Sequence, residues 1–248
     1  MTLEQFFDNN RKLALAFSGG TDSAFLLAQG LRQGCDLRPY FVKTVFQPRF
    51  ELEDAQRLCA QLGVQLAVIE LNVLANGSVA ANPADRCYFC KTAIFTALIA
   101  RAAQDGYSTV IDGTNASDDA ADRPGMRALL ELGVVSPLRI CGITKQEVRQ
   151  RSAQLGLFTA NKPSYACLAT RVPAGTAIEA GMLTRVERGE EALRGLGFSD
   201  LRLRLFGERG GKLQLPEEQL VCAARMAQEI RAALSRDFDS ILLDLQPR

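Results

Sequence analysis

Apolar runs of strand length alternate with amphipathic stretches along the chain as far as Leu155. The runs fall at 12–17 (KLALAF), 38–46 (RPYFVKTVF), 64–71 (VQLAVIEL), 107–114 (YSTVIDGT) and 134–138 (VVSPL). Between and beyond them, the spacing of apolar positions predicts helices over 22–33, 51–62, 91–105, 124–132 and 144–155. The last is the best delimited, with Thr144 as N-cap, Glu147 three residues later to complete a capping box, and Gly156 to stop it. Strands this uniformly apolar are covered on both faces, and strands separated by helices pair in parallel. The expected fold class is therefore α/β, a doubly wound parallel sheet.

The alternation stops at NKPSYACLATRVPAG (161–175), where Pro163, Pro173 and Gly175 exclude a regular element. Beyond it the pattern predicts a helix over 183–195, short strands in DLRLRLF and GKLQLP, a long helix over 217–235 and a final strand in SILLDL. The expected organisation is a domain over 1–160, a cysteine-bearing loop over 161–180, and a small α+β domain over 181–248 for substrate binding or oligomerisation.

A chain of 248 residues buries enough apolar surface to fold without staples. Its formal net charge is +1 with both signs interspersed, so a small molecule is the expected partner, not nucleic acid or a membrane. No apolar run reaches membrane-spanning length and MTLEQFFDNN does not read as a secretion signal, so a cytoplasmic location is expected. The seven cysteines, an odd number without such a signal, do not form a disulfide framework. Histidine is absent. That removes His-activated nucleophiles and imidazole metal ligands, leaving chemistry to Cys, Asp, Glu, Lys, Arg, the backbone or a cofactor.

The run ending at Phe17 leads into SGGTDS (18–23) and an apolar helix. A strand, a tight turn and a helix place backbone N–H groups at a helix N-terminus, where phosphate binds. Gly19 and Gly20 allow close approach, Ser18 and Ser23 add hydroxyls, and Asp22 can cap the helix or hold magnesium. An ordinary βα turn uses the same residue types, but the full string between apolar elements is more specific, and it lacks the lysine of G-x-x-x-x-G-K-[ST]. It resembles the PP-loop of ATP pyrophosphatases, which implies ATP with Mg2+ and cleavage between the α and β phosphates.

Cys87 and Cys90 form a C-x-x-C between Arg86 and Lys91, expected just before the helix over 91–105. The neighbouring cations favour thiolate, and the pair reads evenly as a metal or redox site or as two buried thiols. Cys167, in the irregular segment with Lys162 and Arg171 nearby, is the reactive candidate. A closed zinc site wants four ligands, whereas three cysteines suit a 4Fe-4S cluster with one iron open. Cys35, Cys59, Cys141 and Cys222 lie within apolar or helical patterns and are expected to pack internally.

The strings AFSGGTDS, NPADRCYFCK, DGTNASDD with RPGMRAL, GVVSPL, TKQEVR and KPSYACLATRVPAG together resemble one PP-loop family over nearly the whole chain, the LarE sulfur transferases. The resemblance implies a pyridinium dicarboxylate mononucleotide as substrate. ATP adenylylates one carboxylate, pyrophosphate leaves, and a cysteine thiolate, matched by Cys167, displaces AMP. In one branch of the family the C–S bond of that cysteine then breaks and leaves dehydroalanine. In members with three cysteines, matched by Cys87, Cys90 and Cys167, a 4Fe-4S cluster carries the sulfide instead. Homo-oligomers are also implied. Adenylylation is chemically apt because a carboxylate resists nucleophiles until AMP is its leaving group, and a preformed thiolate needs no histidine base.

Asp112, Thr114 and Asn115 follow a strand at its carboxyl end, where doubly wound folds bind ligands. They are expected to line the nucleotide pocket, with Asp118 on the substrate side; a helix-capping loop is the alternative. Arg123 and Arg171 are candidate ligands of substrate phosphate or carboxylate. Arg202 and Arg204 alternate on LRLRLF and so share a face. They resemble the family's pair for the substrate phosphate, against a plain solvated face. Where the family has an Ala-Arg-Ile-Glu run, this chain reads GGKLQLP with Lys212 and Gln214, and Glu190 is the acid that could compensate as a magnesium ligand. Two other functions compete: a different PP-loop adenylylating enzyme, thiolating tRNA or transferring an amide, and an ATP-binding or iron–sulfur module without turnover. The near-neutral charge opposes RNA binding, and the intact SGGTDS opposes the module.

Overall fold

The computed structural model describes residues 1–118 and 123–248, Arg123 by its backbone alone. In chain order the elements are α1 (Leu3–Asn9), β1 (Lys12–Ala16), α2 (Thr21–Arg32), β2 (Asp36–Lys43), α3 (Arg49–Gln61), β3 (Ala67–Glu70), α4 (Gly77–Ala80), α5 (Arg86–Gln104), β4 (Val110–Ile111), α6 (Arg123–Glu131), α7 (Pro137–Ile140), α8 (Lys145–Gln154), α9 (Ala180–Gly195), β5 (Arg202–Phe206), β6 (Gly210–Gln214), α10 (Glu217–Arg225), α11 (Ala227–Leu234) and β7 (Ser240–Leu243). They divide into two compact units, Met1–Val73 with Asp85–Ser164, and Leu74–Ala84 with Tyr165–Arg248.

The first unit is the doubly wound α/β layer. Its four strands run parallel in the order β3-β2-β1-β4. Alternation along β1 sends Leu13 and Leu15 into a core with Phe25 and Leu26 of α2 and Leu58 of α3. Ala14 goes to the other face, among Phe95 and Leu98 of α5 and Leu129 of α6. Helices thus cover both faces, which is why the strands read as continuous apolar runs. The chain leaves β1 toward β2 on one side and later returns to β4 on the other. The winding reverses between β1 and β4, and their carboxyl ends border the crevice where such sheets bind ligands.

Several local expectations change. VVSPL is not a strand: Val135 makes a single bridge to Ile111, and Pro137 opens α7, where its fixed φ suits a first turn. YSTVIDGT contributes only Val110–Ile111. The helix expected over 91–105 begins at Arg86, so Cys87 and Cys90 lie inside its first turns, not ahead of it. The N-terminal segment holds an unforeseen helix, α1, with a Thr2–Gln5 capping box and Leu3, Phe6 and Phe7 buried. The box expected at Thr144 does form: Glu147 Oε2 accepts from the Thr144 N–H at 2.8 Å, and Thr144 Oγ1 accepts from the Glu147 N–H at 3.3 Å.

In the second unit, β5 pairs antiparallel with β6 and β6 parallel with β7, and α9 packs on β5. The helix expected over 217–235 is broken at Met226 (φ −92°, ψ 23°) into α10 and α11. Residues 74–84 join this unit through Asn82, whose side chain donates to the Pro173 carbonyl at 2.8 Å and the Thr176 carbonyl at 3.1 Å. Cys35 and Cys59 are buried as expected, and burial pushes the Cys59 thiol up to about 12. Cys141 is half-buried, whereas Cys222 is exposed, because α10 buries only Ala223 and turns the cysteine outward.

Candidate active site

The loop after β1 is shaped by its glycines. Gly19 has φ +70°, and a Cβ there would meet the Glu51 carbonyl oxygen and Ala55 Cβ of α3, each at 3.1 Å. A side chain there would be strained by the left-handed backbone and crowded by α3. Gly20 is the N-cap of α2 and supplies no side-chain cap, and the first helical bond runs from the Ala24 N–H to the Gly20 carbonyl at 3.0 Å. The N–H groups of Thr21, Asp22 and Ser23 therefore precede the helical ladder, the arrangement that receives phosphate. Ser18 and Ser23 hydroxyls lie 3.1 Å apart. Asp22 is not the cap, since Gly20 takes that position; its carboxylate pairs with Lys145 and accepts from Asn115 Nδ2 at 3.1 Å.

A pocket of about 310 Å³ opens beside this loop. Its polar rim includes Ser18, Asp22, Ser23, Asp112, Thr114 and Asp118, and its apolar wall includes Phe41 and Val42 of β2 and Phe95 and Leu98 of α5. A polar rim over an apolar wall suits a ligand with a charged chain and a flat base. Asp112 is buried and accepts from Ser136 Oγ at 2.6 Å and Thr114 Oγ1 at 2.5 Å. Burial pushes its carboxyl above the usual range, against the pull of those hydrogen bonds. Asn115 joins the loop after β4 to the phosphate loop through Asp22, while its own N–H donates to Asp118 Oδ2 at 2.7 Å.

Sequence reasoning missed Gly113, where a Cβ would come within 2.9 Å of the Ser23 backbone nitrogen. A glycine two residues after a buried strand was the available signal. Lys162 donates to Asp54 Oδ2 at 2.6 Å and to the Gly19 carbonyl at 3.5 Å, and Thr21 Oγ1 donates to the Thr159 carbonyl at 2.8 Å. These bonds tie the segment 159–162 to the phosphate loop. Cys87 and Cys90 are half-buried and, three residues apart in one helix, share a face. The side chain of Arg123 lies outside the described residues. Among the described residues no three His, Cys, Asp or Glu side chains gather in a metal-holding group, and no helix is long and apolar enough to cross a membrane.

The remaining candidates belong to the second unit. Cys167, half-buried, is the N-cap of a 3-10 turn, Leu168–Arg171. Arg171 donates to Glu190 through Nε at 2.7 Å and Nη2 at 3.2 Å, and through Nη1 to the Ala166 carbonyl at 2.8 Å. Both side chains are buried, so Arg171 and Glu190 brace each other and the turn that carries the cysteine. Burial pulls the Arg171 guanidinium down, but its hydrogen bond to Glu190 and that residue's charge carry it above the usual value. Burial, then the Glu190 charge, raises Tyr165, whose hydroxyl donates to Glu190 at 2.6 Å.

Arg202 and Arg204 do share a half-buried face of β5. Arg204 donates to Gln214 Oε1 at 2.6 Å and to the Thr170 carbonyl at 2.7 Å. Arg202 Nε is buried with no hydrogen-bond partner among the described residues. Burial, then neighbouring guanidinium charge, lowers both arginines. Lys212 and Gln214, where the sequence departs from the family, both bind Asp244, at 2.9 Å and 2.8 Å.

No protein-family model matches the chain. An uncharacterised protein of Synechocystis is 38% identical over 249 residues, which cover 98% of this chain and 92% of that protein. The pyridinium-3,5-bisthiocarboxylic acid mononucleotide synthase of Lactiplantibacillus plantarum is 29% identical over 250 residues, 98% of this chain and 89% of the synthase. An uncharacterised protein of Methanocaldococcus jannaschii is 31% identical over 195 residues, 79% of this chain and 74% of that protein. Likeness over such spans, in a chain with an SGGTDS loop on a four-stranded parallel sheet, shows that it belongs to the LarE family of PP-loop proteins.

Proposed function

We propose that the protein is an ATP-dependent sulfur transferase that converts a carboxylate of pyridinium-3,5-biscarboxylic acid mononucleotide to a thiocarboxylate, in the biosynthesis of a nickel-pincer cofactor. The observation that carries this reading is the likeness, along 98% of the chain, to a synthase named for the bisthiocarboxylic acid mononucleotide. The glycine-shaped loop at the sheet's carboxyl edge supports the ATP half of the reaction. Magnesium would be held near Asp22, where a carboxylate and the hydroxyls of Ser18 and Ser23 offer the oxygen donors it prefers.

A substrate carboxylate oxygen bonds to the α-phosphorus, the bond to the α–β bridging oxygen breaks, and its electron pair leaves on pyrophosphate. The Cys167 thiolate then attacks the acyl carbon and expels AMP, leaving a thioester. Removal of the Cys167 α-proton with cleavage of its Cβ–S bond releases the thiocarboxylate and leaves dehydroalanine. In the alternative branch, Cys87, Cys90 and Cys167 would hold a 4Fe-4S cluster that supplies the sulfide, and residue 167 is spared. The shared helical face of Cys87 and Cys90 fits two of those ligand positions. Arg202, with its unused buried Nε, and Arg204 would receive the substrate phosphate.

The test is the intact mass of anaerobically purified protein before and after turnover with ATP, magnesium and the dicarboxylate nucleotide, with iron counted in the same sample. Loss of one hydrogen sulfide at Cys167 is the outcome of the self-consuming branch. An unchanged, iron-bearing polypeptide that makes more than one product per chain is that of the cluster branch. Absence of pyrophosphate at saturating ATP and nucleotide refutes the assignment, and pyrophosphate release stimulated by tRNA instead favours RNA thiolation.

A further inference from the structure

An apolar wall holds a flat base but does not say which base, or which edge faces which way; that takes a polar group of fixed orientation. Gln47, in the turn after β2, lines the pocket with Phe41 and Val42. We propose that Gln47 is a base-binding residue whose side-chain amide donates to a ring nitrogen of adenine. This rests on the ATP reading of the phosphate loop and adds to it a residue that reads the base.

The orientation of the amide is set by a buried threonine. Gln47 Oε1 accepts from the Thr44 N–H at 3.0 Å and from Thr44 Oγ1 at 2.7 Å. A backbone N–H can only donate, so it is the amide oxygen that faces Thr44. Thr44 Oγ1 itself accepts from the Phe46 N–H at 3.0 Å, which leaves its one hydrogen for Gln47. Thr44 and Phe46 are buried. The Lys43 ammonium donates to the Gln47 carbonyl, and Pro48, the N-cap of α3, comes next, so the backbone is held from both sides.

With its oxygen engaged, Gln47 has Nε2 left over, a group with two N–H donors and no hydrogen-bond partner among the described residues. A residue that merely closed the turn would need the oxygen alone, and a glutamate would serve as well. The nitrogen is the part that the turn does not use, on a side chain that lines the pocket.

The sheet places this donor at the base end of the pocket. In the order β3-β2-β1-β4, the turn after β2 and the loop after β4 flank the phosphate loop on opposite sides. With the phosphates at Ser18 and Ser23, the apolar wall of Phe41, Val42, Phe95 and Leu98 takes the base, and Gln47 follows Val42 by five residues. Adenine presents acceptors at its ring nitrogens and a donor at its exocyclic amine, so an N–H₂ group reads the former and is refused by the latter.

The experiment measures binding of magnesium ATP, its 1-deaza, 3-deaza and 7-deaza analogues, and magnesium pyrophosphate to the full-length protein and to Gln47→Leu and Gln47→Glu. Wild type should bind one deaza analogue about 3- to 10-fold more weakly than ATP, the worth of one neutral hydrogen bond. Gln47→Leu should bind ATP more weakly by about that factor, no longer distinguish that analogue from ATP, and keep pyrophosphate within about twofold. Gln47→Glu preserves the acceptor for Thr44 but sets an acceptor against the ring nitrogen, and should lose about 10- to 100-fold for ATP. The proposal is overturned if wild type binds all three deaza analogues as it binds ATP, or if Gln47→Glu binds ATP as wild type does. Equal losses of ATP and pyrophosphate in Gln47→Leu overturn it too, because they report a damaged pocket. If wild type binds neither ATP nor pyrophosphate, the ATP reading itself falls, a result distinct from all of these.

Discussion

Replacing Glu190 by Gln should unfasten the second unit. The carboxylate is fully buried and accepts from Tyr165 Oη at 2.6 Å, Arg171 Nε at 2.7 Å, the Leu203 N–H at 3.0 Å, Arg171 Nη2 at 3.2 Å and Arg194 Nη2 at 3.4 Å. Glutamine keeps the shape but offers one acceptor oxygen where two stood, and turns an amide N–H₂ toward guanidinium donors. Arg171, 1% exposed, is then a buried cation without a counter-charge. Removing one member of such a pair costs about 3–5 kcal/mol, a large part of the roughly 5–15 kcal/mol that holds a domain folded.

Hydrogen exchange read by mass spectrometry localises the effect. Peptides across 165–206 should lose protection by about two to four powers of ten, while those across 12–43 stay near wild type. Replacing both partners, Arg171→Met with Glu190→Leu, should recover the part of the loss that comes from the uncompensated cation, but not the part that comes from the Leu203 N–H and the Tyr165 hydroxyl, which lose their acceptor. Wild-type exchange and melting in Glu190→Gln would refute the reasoning, and would mean that the carboxylate is available for another role such as magnesium binding.

Two other outcomes follow from the first unit. Gly113→Ala brings a Cβ to within 2.9 Å of the Ser23 backbone nitrogen, so one of the two loops must shift. It should weaken ATP binding about tenfold and cost about 1–3 kcal/mol; wild-type ATP affinity would show that residue 113 does not set the phosphate loop. Asp112 has a folded-state carboxyl raised by burial, so the folded protein holds that proton more tightly than the unfolded chain. Its contribution to stability is complete below the ordinary carboxylate range, about pH 4, and is lost as pH rises through the raised value. Asp112→Asn keeps an acceptor for Ser136 and Thr114, so wild type should lose stability relative to the variant as pH climbs toward neutral. Denaturant melts at several pH values check this, and a difference that is flat with pH would contradict it.

What could be read beforehand was what neighbours in sequence decide. The sheet was legible because Leu13 and Leu15 face one core and Ala14 the other, which leaves an apolar run with no polar face. The SGGTDS turn was legible because strand, turn and helix N-terminus are contiguous. Boundaries failed where one residue tips a balance. Met226 departs from helical geometry with neither glycine nor proline to announce it, and Pro137 begins a helix inside what looked like a strand.

The charges of the site were the least legible, because each is held by a partner far along the chain. Asn115 reaches Asp22 across 93 residues, Lys162 reaches Asp54 across 108, and Lys145 reaches Asp22 across 123. Charged side chains are ordinarily surface groups, so a sequence pattern treats each of these as solvated until the fold brings its partner. Arg171 and Glu190 show the opposite risk: their placement near Cys167 and on an acidic position made both look like ligands, whereas they are joined to each other inside the second unit. The usable signal lies in local inconsistency. A lysine at the positive end of a well-capped helix runs against the helix dipole, and its ion pair with Asp22, far along the chain, supplies the reason that the local sequence does not.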